Sequence, residues 1–196
     1  MSVYRPEYLA ALEILAAVFD EVVQAGYERP ILVGGAAVEF YTGGAVTSGD
    51  FDILTPGLTE LEAALQRRGF VRPSGPGVLL RGLHHPELGI GVEVVSGHLF
   101  DGASDRARVR VVPVGHGSIA LPPVEDMIAD RMGQYAAPTQ HDREMLGQAI
   151  ALYRIARQNL EDPLDEEYLD RRIKTETLGE CDLGSLIEKT DEADDA

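Results

Sequence analysis

The first third of the chain alternates between helical and strand-like hydrophobic patterns. Apolar residues spaced three or four positions apart predict an amphipathic helix over residues 6–26. A short apolar strand follows at 30–33. Gly34 and Gly35 then mark a tight turn into a short helix at 36–41. These patterns predict a helix–strand–helix unit at the start of the fold.

The middle of the chain is dominated by predicted strands. A loop at 42–49 leads to a second strand at 50–54, and a helix is predicted at 58–68. Further strands are predicted at the following positions: 70–71, 78–83, 90–95, 108–114 and 119–121. The alternation of arginine and valine in the strand at 108–114 is typical of an edge strand with one solvated face.

The pattern becomes helical again after Pro122 and Pro123. Helices are predicted at 124–135, 141–158 and 166–173. The order of elements predicts a mixed α/β (α+β) sheet flanked by helices, with a C-terminal helical cap. We expect a core at 1–121, a helical region at 122–175 and an acidic, flexible tail at 176–196.

Composition narrows the classes of protein that remain. The chain has 196 residues and a formal net charge of −16, which argues against a protein whose main task is to grip nucleic acid. A local basic groove remains compatible with that charge. The N-terminal residues lack a signal-peptide pattern, and no apolar run is long enough to cross a bilayer. The single cysteine, Cys181, fits a reducing cytoplasm, where we expect the protein to be located.

Two aspartates begin the second predicted strand. Because side chains alternate along a strand, Asp50 and Asp52 should share one face, while Phe51 and Ile53 point into the core. Adjacent carboxylates repel each other unless a cation or a proton lies between them. A hard divalent metal such as Mg²⁺ would satisfy the pair through its oxygen ligands. The alternative is a solvated strand end or an Asx turn.

A third carboxylate stands in a later strand. Glu93 is flanked by apolar residues that favour strands, and burying it without a partner would be costly. In register with Asp52 on a neighbouring strand, Glu93 would complete a cluster suited to one or two metal ions. Otherwise Glu93 is an outward-facing residue on a half-exposed strand.

Two loops offer groups that suit a phosphate. Gly34 and Gly35 allow a ligand to approach the backbone closely, and the helix that follows offers unpaired N–H groups. The hydroxyls of Thr47 and Ser48 could bind a phosphate or could instead stabilise the turn into the second strand.

The combination of a Gly-Gly turn, an Asp-x-Asp strand and a later acidic residue resembles the nucleotidyltransferase superfamily with the DNA polymerase β-type fold. The chain is most similar to the minimal branch that includes type IV toxin–antitoxin and abortive-infection toxins. The resemblance covers roughly residues 28–158 and rests on these segments: 33–41, 49–54, 121–131 with its terminal Arg131, and 141–143.

This resemblance implies catalytic and metal-binding roles for three carboxylates, Asp50, Asp52 and Glu93. They would hold Mg²⁺ or Mn²⁺, while a nucleoside triphosphate is the substrate. A nucleoside monophosphate would pass to a hydroxyl on RNA, protein or a small molecule, with release of pyrophosphate. A toxin of this kind could have an antitoxin protein as its partner.

The resemblance also implies that Gly34, Gly35 and Ser48 seat the terminal phosphates. Two positions depart from the family pattern. Val46 stands where related toxins often have an arginine, and Ala36 stands where a serine is common. Both departures remove phosphate contacts. A catalytically inactive binding or regulatory protein is therefore an alternative function, and an antitoxin or structural subunit is a third.

The remaining chemical groups are assigned to less specific roles. His84 and His85 are expected in a turn at 84–89, where adjacent histidines would not share a metal. His116 is expected in a loop. Three arginines, Arg106, Arg108 and Arg110, would fall on one strand face if the strand starts early. We expect them to be solvated, and they are also the best candidate contact for an acidic acceptor or for nucleic acid.

Overall fold

The computed structural model describes residues 3–73, 82–95, 99–137 and 143–195. The chain divides into two compact units. Unit 1 comprises Met1–Leu99 and Arg106–Pro122, and unit 2 comprises Phe100–Asp105 and Pro123–Ala196. None of the helices in these described ranges is long and apolar enough to cross a membrane.

Unit 1 is built on a mixed sheet with the strand order β3-β4-β2-β1-β6-β5. Its strands are β1 Ile31–Val33, β2 Asp50–Leu54, β3 Leu83–His85, β4 Ile90–Val94, β5 Arg110–Val114 and β6 Gly117–Leu121. β2 runs parallel to β4, and β1 runs parallel to β6, while the other neighbouring pairs are antiparallel. The predicted mixed sheet is confirmed, and β5 lies at its edge as its alternating pattern predicts.

Three helices accompany this sheet: α1 Pro6–Gln24, α2 Gly34–Tyr41 and α3 Leu58–Gln66. α1 is helical because its apolar residues form one continuous face, and that face is buried in the unit. The ring of Tyr8 in α1 stacks on Phe51 in β2, with 5.2 Å between ring centroids. At Gly117 in β6 an added Cβ would lie 2.6 Å from the backbone of Ala16, so the helix rests directly on the strand.

The side chains of β2 show which face of the sheet carries polar chemistry. Phe51 and Ile53 are buried on the face that meets Tyr8 in α1. Asp50 is exposed and Asp52 is partly exposed on the opposite face. The alternation predicted from the sequence is therefore present, and it separates the apolar core from the carboxylates.

Unit 2 consists mainly of helices: α4 Val124–Ala136, α5 Arg143–Gln158, α6 Glu166–Glu176 and α7 Leu183–Asp194. α4 packs against both α5 and α6. The ion pair between Arg172 of α6 and Asp126 of α4 lies inside this unit, with a distance of 2.6 Å between Nε and Oδ1.

The C-terminal segment differs from the sequence-based prediction. Residues 176–196 were predicted to form a flexible tail, but they contain α7. Asp182 caps this helix, because its carboxylate accepts the N–H of Ser185 at 2.8 Å. Leu186 and Thr190 are buried, so α7 packs on its own unit despite its many acidic residues.

The histidine pair also differs from its predicted place. His84 and His85 were assigned to a turn, but both lie in β3, where they pair with β4. The chain turns only after His85, where the N–H of Gly89 donates to the carbonyl of His85 at 2.9 Å. Residues 78–81 of the predicted strand at 78–83 lie outside the described residues.

The predicted arginine strand starts later than expected. Arg106 and Arg108 lie in a 3₁₀ turn that precedes β5, and Arg110 is the first residue of the strand. The three guanidinium groups therefore do not form the single strand face that alternation predicted. Arg106 instead forms an ion pair with Glu28.

Candidate functional site

The pairing of β2 with β4 brings the predicted carboxylates to one face of the sheet. Asp52 pairs with Glu93 and Asp50 pairs with Gly91 in parallel register. Paired residues on neighbouring strands project to the same side, and the strands lie about 4.8 Å apart. Glu93 is therefore the direct neighbour of Asp52, which is the register that the predicted carboxylate cluster needs.

Gly34 determines where the carboxylate of Asp52 lies. A Cβ at position 34 would be 2.0 Å from Oδ2 of Asp52, so the carboxylate occupies the space of the missing side chain. Gly34 also has a φ of +65°, which a residue with a side chain rarely adopts. The helix predicted at 36–41 thus begins two residues earlier, at Gly34, and this first residue lets the α2 N-terminus approach Asp52 closely.

Asp50 leans across the neighbouring strand. Its Oδ1 accepts the N–H of Gly91 at 3.2 Å, and a Cβ at Gly91 would be 2.4 Å from that oxygen. Beyond Gly91, the next residue in the same row of the sheet is His84, which pairs with Gly91 from β3. His84 therefore lies on the same face as the carboxylates, which its predicted place in a turn did not indicate.

His85 has a structural role on the opposite side of β3. Its ring meets Phe70 edge-on, with 5.0 Å between centroids. Its Nδ1 accepts the N–H of Leu88 at 3.3 Å. These contacts place the two adjacent histidines in different surroundings, as the alternation of a strand requires.

The loop before β2 places Ser48 against the second glycine of the turn. A Cβ at Gly35 would be 2.6 Å from Oγ of Ser48. That hydroxyl donates to the carbonyl of Asp50 at 3.1 Å. The residues predicted to seat phosphates are therefore neighbours: Gly34, Gly35 and Ser48 lie beside the start of α2.

Glu39 and Arg5 bind the loop before β2, and the sequence patterns singled out neither residue. Glu39 of α2 is 0% exposed, and its carboxylate accepts the Ser48 N–H at 2.7 Å. Arg5 forms an ion pair with Glu39, with 2.9 Å between Nη2 and Oε2. The hydrogen bond to Glu39 raises the pKa of Arg5 and so favours its charged form. The signal that could have identified Glu39 is a lone charge within the apolar segment 36–41.

The carboxylates of this face are chemically suited to bind a metal ion, but they are not arranged as a complete metal site. Carboxylate oxygens are suitable ligands for Mg²⁺, and Asp52 and Glu93 lie side by side. Across the ranges that the structure describes, no three His, Cys, Asp or Glu side chains are grouped so that they could hold a metal ion. Asp50, the third predicted ligand, is instead turned toward the Gly91 N–H.

The remaining predicted residues have surroundings of their own. Arg131 is buried in unit 2, where its Nη2 pairs with Asp130 at 2.9 Å. Burial raises the pKa of Asp130 despite that neighbouring cation. His116 is exposed in the turn between β5 and β6. The predicted pair His141 and Asp142 lies outside the described residues.

Comparison with known proteins adds evidence on the fold. No protein-family model matches this sequence, and no curated protein sequence matches it either. Among solved structures, the chain is similar to an antigenic nucleotidyltransferase-like protein from Paracoccidioides brasiliensis. The TM-score is 0.60 at 14% identity, over 94% of each chain. It is also similar to the antibiotic-resistance factor ANT(2'')-Ia, with a TM-score of 0.51 at 15% identity, over 85% of this chain and 89% of that one. The mixed sheet and helices of this chain therefore have a nucleotidyltransferase-like fold.

Proposed function

We propose that this protein transfers a nucleoside monophosphate from a nucleoside triphosphate to a hydroxyl acceptor. The observation that carries the proposal is the parallel pairing of Asp52 with Glu93, directly beside Gly34 at the start of α2. The two similar structures are described as a nucleotidyltransferase-like protein and an antibiotic-resistance factor, and the first description favours this class of reaction.

Asp50, Asp52 and Glu93 would hold the divalent cation, Mg²⁺ or Mn²⁺. When bound, such a cation supplies positive charge that offsets the charge of the phosphate oxygens. The chain's own contribution is to fix its ligands. Gly34 limits where Asp52 can lie, and the Gly91 N–H orients Asp50 through one of its two carboxylate oxygens.

The start of α2 would seat the terminal phosphates. Its first residues, Gly34 and Gly35, have N–H groups that lack partners within the helix, and these suit an anion. The Ser48 hydroxyl lies against Gly35 and can donate to a phosphate oxygen by rotating away from the Asp50 carbonyl.

The proposed reaction balances without any further reagent. The acceptor oxygen bonds to the α-phosphorus, while the bond from that phosphorus to the bridging oxygen breaks. Pyrophosphate leaves with the electron pair of the broken bond. Glu93 is partly exposed on the same face as Asp52, so its carboxylate can take the hydroxyl proton and release it to water.

The first test is the substitution Asp52→Asn, assayed with each labelled nucleoside triphosphate and Mg²⁺ or Mn²⁺. We expect transfer to fall by at least about 10²-fold, because removal of a charge-stabilising group commonly costs that much. The matched control is Glu87→Gln, an exposed carboxylate in the turn between β3 and β4. Full activity in Asp52→Asn, or an equal loss in Glu87→Gln, would contradict the assignment.

A catalytically silent nucleotide-binding protein is the second candidate. Val46 and Ala36 favour it, and so does the separate engagement of Asp50 by Gly91. Binding of a triphosphate without formation of product would support this candidate. An antitoxin or structural subunit would show no rise in thermal stability with any triphosphate, because a ligand selective for the folded state must stabilise it.

The choice of acceptor and the toxin role are finer parts of the proposal and rest on the sequence resemblance. If the protein is a toxin, its expression should arrest growth, and the arrest should disappear with Asp52→Asn. Co-expression with a companion antitoxin should also relieve the arrest. Labelled product recovered in RNA, protein or small-molecule fractions would identify the acceptor class.

A further inference from the structure

Arg5, just before α1, contacts the loop at 42–49 that leads to β2. Its Nε donates to Oε1 of Glu39 at 3.0 Å, and its Nη2 donates to Oε2 at 2.9 Å. The same Nη2 donates to the carbonyl of Ser48 at 2.6 Å. One guanidinium therefore bridges α2 and the loop through three charge-assisted hydrogen bonds.

Glu39 holds the other polar backbone group of Ser48. Its Oε2 accepts the Ser48 N–H at 2.7 Å, while Arg5 binds the Ser48 carbonyl. Both main-chain groups of one residue are thus fixed by one ion pair. The orientation of this backbone determines where the Ser48 hydroxyl points, and that hydroxyl lies against Gly35.

Anchoring of α1 alone does not explain why this pair is present. Tyr8 already donates from its hydroxyl to the carbonyl of Ala36 at 2.7 Å, and Tyr4 donates to the carbonyl of Phe40 at 3.0 Å. These two bonds join Tyr4 and the first turn of α1 to α2. Glu39 is fully buried, so its charge has a desolvation cost that an apolar residue of similar volume avoids. The particular contribution of Arg5 and Glu39 is their hold on Ser48.

We propose that Arg5 is a positioning residue of the nucleotide site and that it acts through Glu39 and the backbone of Ser48. This inference rests on the proposed function, because Ser48 is its phosphate contact.

The test compares Arg5→Lys and Glu39→Gln with the wild type. Lysine keeps the charge but loses the planar fork that binds Glu39 at two points. We expect KM for the triphosphate to rise about tenfold in Arg5→Lys, the equivalent of ~1.4 kcal/mol, while kcat changes by less than about twofold. Equilibrium binding of MgATP and the other triphosphates should weaken by the same factor.

Arg29→Lys is the matched control. Arg29 also binds one carboxylate, Asp20 at 2.5 Å, and one backbone carbonyl, that of Ser118 at 2.8 Å. It belongs to the same unit as Arg5, but it binds Asp20 in α1 and Ser118 in β6 through Nη1 alone. A purely structural effect of replacing an arginine that joins a carboxylate to a backbone carbonyl should be similar in the two variants. The proposed role predicts that Arg29→Lys leaves KM and nucleotide binding unchanged.

Hydrogen exchange provides a measurement that does not depend on activity. Residues 42–49 should exchange faster in Arg5→Lys and Glu39→Gln, because the Ser48 N–H loses its fixed acceptor, but not in Arg29→Lys. Unchanged exchange in this segment would overturn the inference. So would wild-type nucleotide affinity in both variants. If the wild type binds no triphosphate although the exchange result holds, the proposed function fails while the hold on the loop stands.

Discussion

The two units each contain a buried carboxylate paired with an arginine, but the pairs have different surroundings. In unit 1, Glu39 is 0% exposed while the side chain of Arg5 is 34% exposed. In unit 2, Asp126 is 0% exposed and the side chain of Arg172 only 3%. The first pair therefore keeps contact with solvent through its arginine, and the second pair is enclosed within the protein.

The enclosed pair joins packed helices. Asp126 of α4 accepts the hydroxyl of Tyr168 at 2.9 Å and the hydroxyl of Ser104, and it also binds Arg172 of α6. Arg172 pairs in addition with Glu176 at 2.5 Å. All of these bonds fix the packing within unit 2. The pair in unit 1 instead fixes the backbone of a loop beside the carboxylate face.

This difference shows how similar chemistry can serve different purposes. A fully enclosed pair has strong interactions, but its desolvation cost makes its loss severe when one partner is removed. A pair with one partly exposed member contributes less to stability because solvent screens its charge, and here it holds the loop beside the carboxylate face. Stability and the proposed nucleotide binding should therefore respond to different substitutions.

The largest expected change in stability follows Asp126→Ala. It would leave the buried guanidinium of Arg172 without its main partner, and removal of one member of a buried pair typically costs about 3–5 kcal/mol. Urea unfolding, with hydrogen exchange read out in α6, would measure the loss. The exposed residue Glu188 provides the control, because Glu188→Ala should stay within about 0.5 kcal/mol of the wild type. A loss below about 1 kcal/mol in Asp126→Ala would show that the enclosed pair is not a main support of unit 2.

A double-mutant cycle would compare the two pairs directly. We expect a coupling energy of about 1 kcal/mol between Arg5 and Glu39, because solvent screens the exposed arginine. The coupling between Arg172 and Asp126 should be larger, at about 2–3 kcal/mol, near the upper end measured for residues in one network. Equal couplings would contradict the distinction drawn from exposure.

The smallest expected effect concerns the end of α6, the helix that carries Arg172. Leu178 follows its C-cap with a φ of +54° and a side chain that is 92% exposed. Leu178→Gly should stabilise unit 2 by about 0.5–1 kcal/mol, because glycine adopts this conformation without strain. Thermal unfolding would detect the gain, and Leu160→Gly at another exposed leucine should show none. Destabilisation by Leu178→Gly would indicate that the exposed leucine has a packing role.

Much of the fold could be predicted from the sequence because the underlying signals are local. Apolar spacing identified α1 and α4, and the alternation of carboxylates with apolar residues identified β2. β3 continues two residues past the strand predicted at 78–83, because so short a segment shows too little alternation to mark where a strand ends. α7 was missed because acidic composition outweighed the capping signal of Asp182.

The register that brings the candidate carboxylates together was predictable from the sequence, but the contacts that support them were not. Asp52 and Glu93 could be matched because each lies in an apolar strand pattern. Only the register between their two strands then had to be assumed, and the structure shows that register. Arg5 and Glu39 are 34 positions apart in the sequence. Local periodicity cannot indicate a contact over that separation. The orientation of the Asp50 side chain toward Gly91 also depends on tertiary structure, because it requires a particular strand beside β2.

The contact between Gly34 and Asp52 offers a way to disable the site without changing its charge. A methyl group at position 34 would overlap Oδ2 of Asp52, so Gly34→Ala must displace the carboxylate while the net charge stays at −16. Asp52→Asn has the opposite effect, because it removes the charge while it keeps the shape of the side chain. The two substitutions therefore separate two properties of the site: how much negative charge the face carries, and where that charge is held.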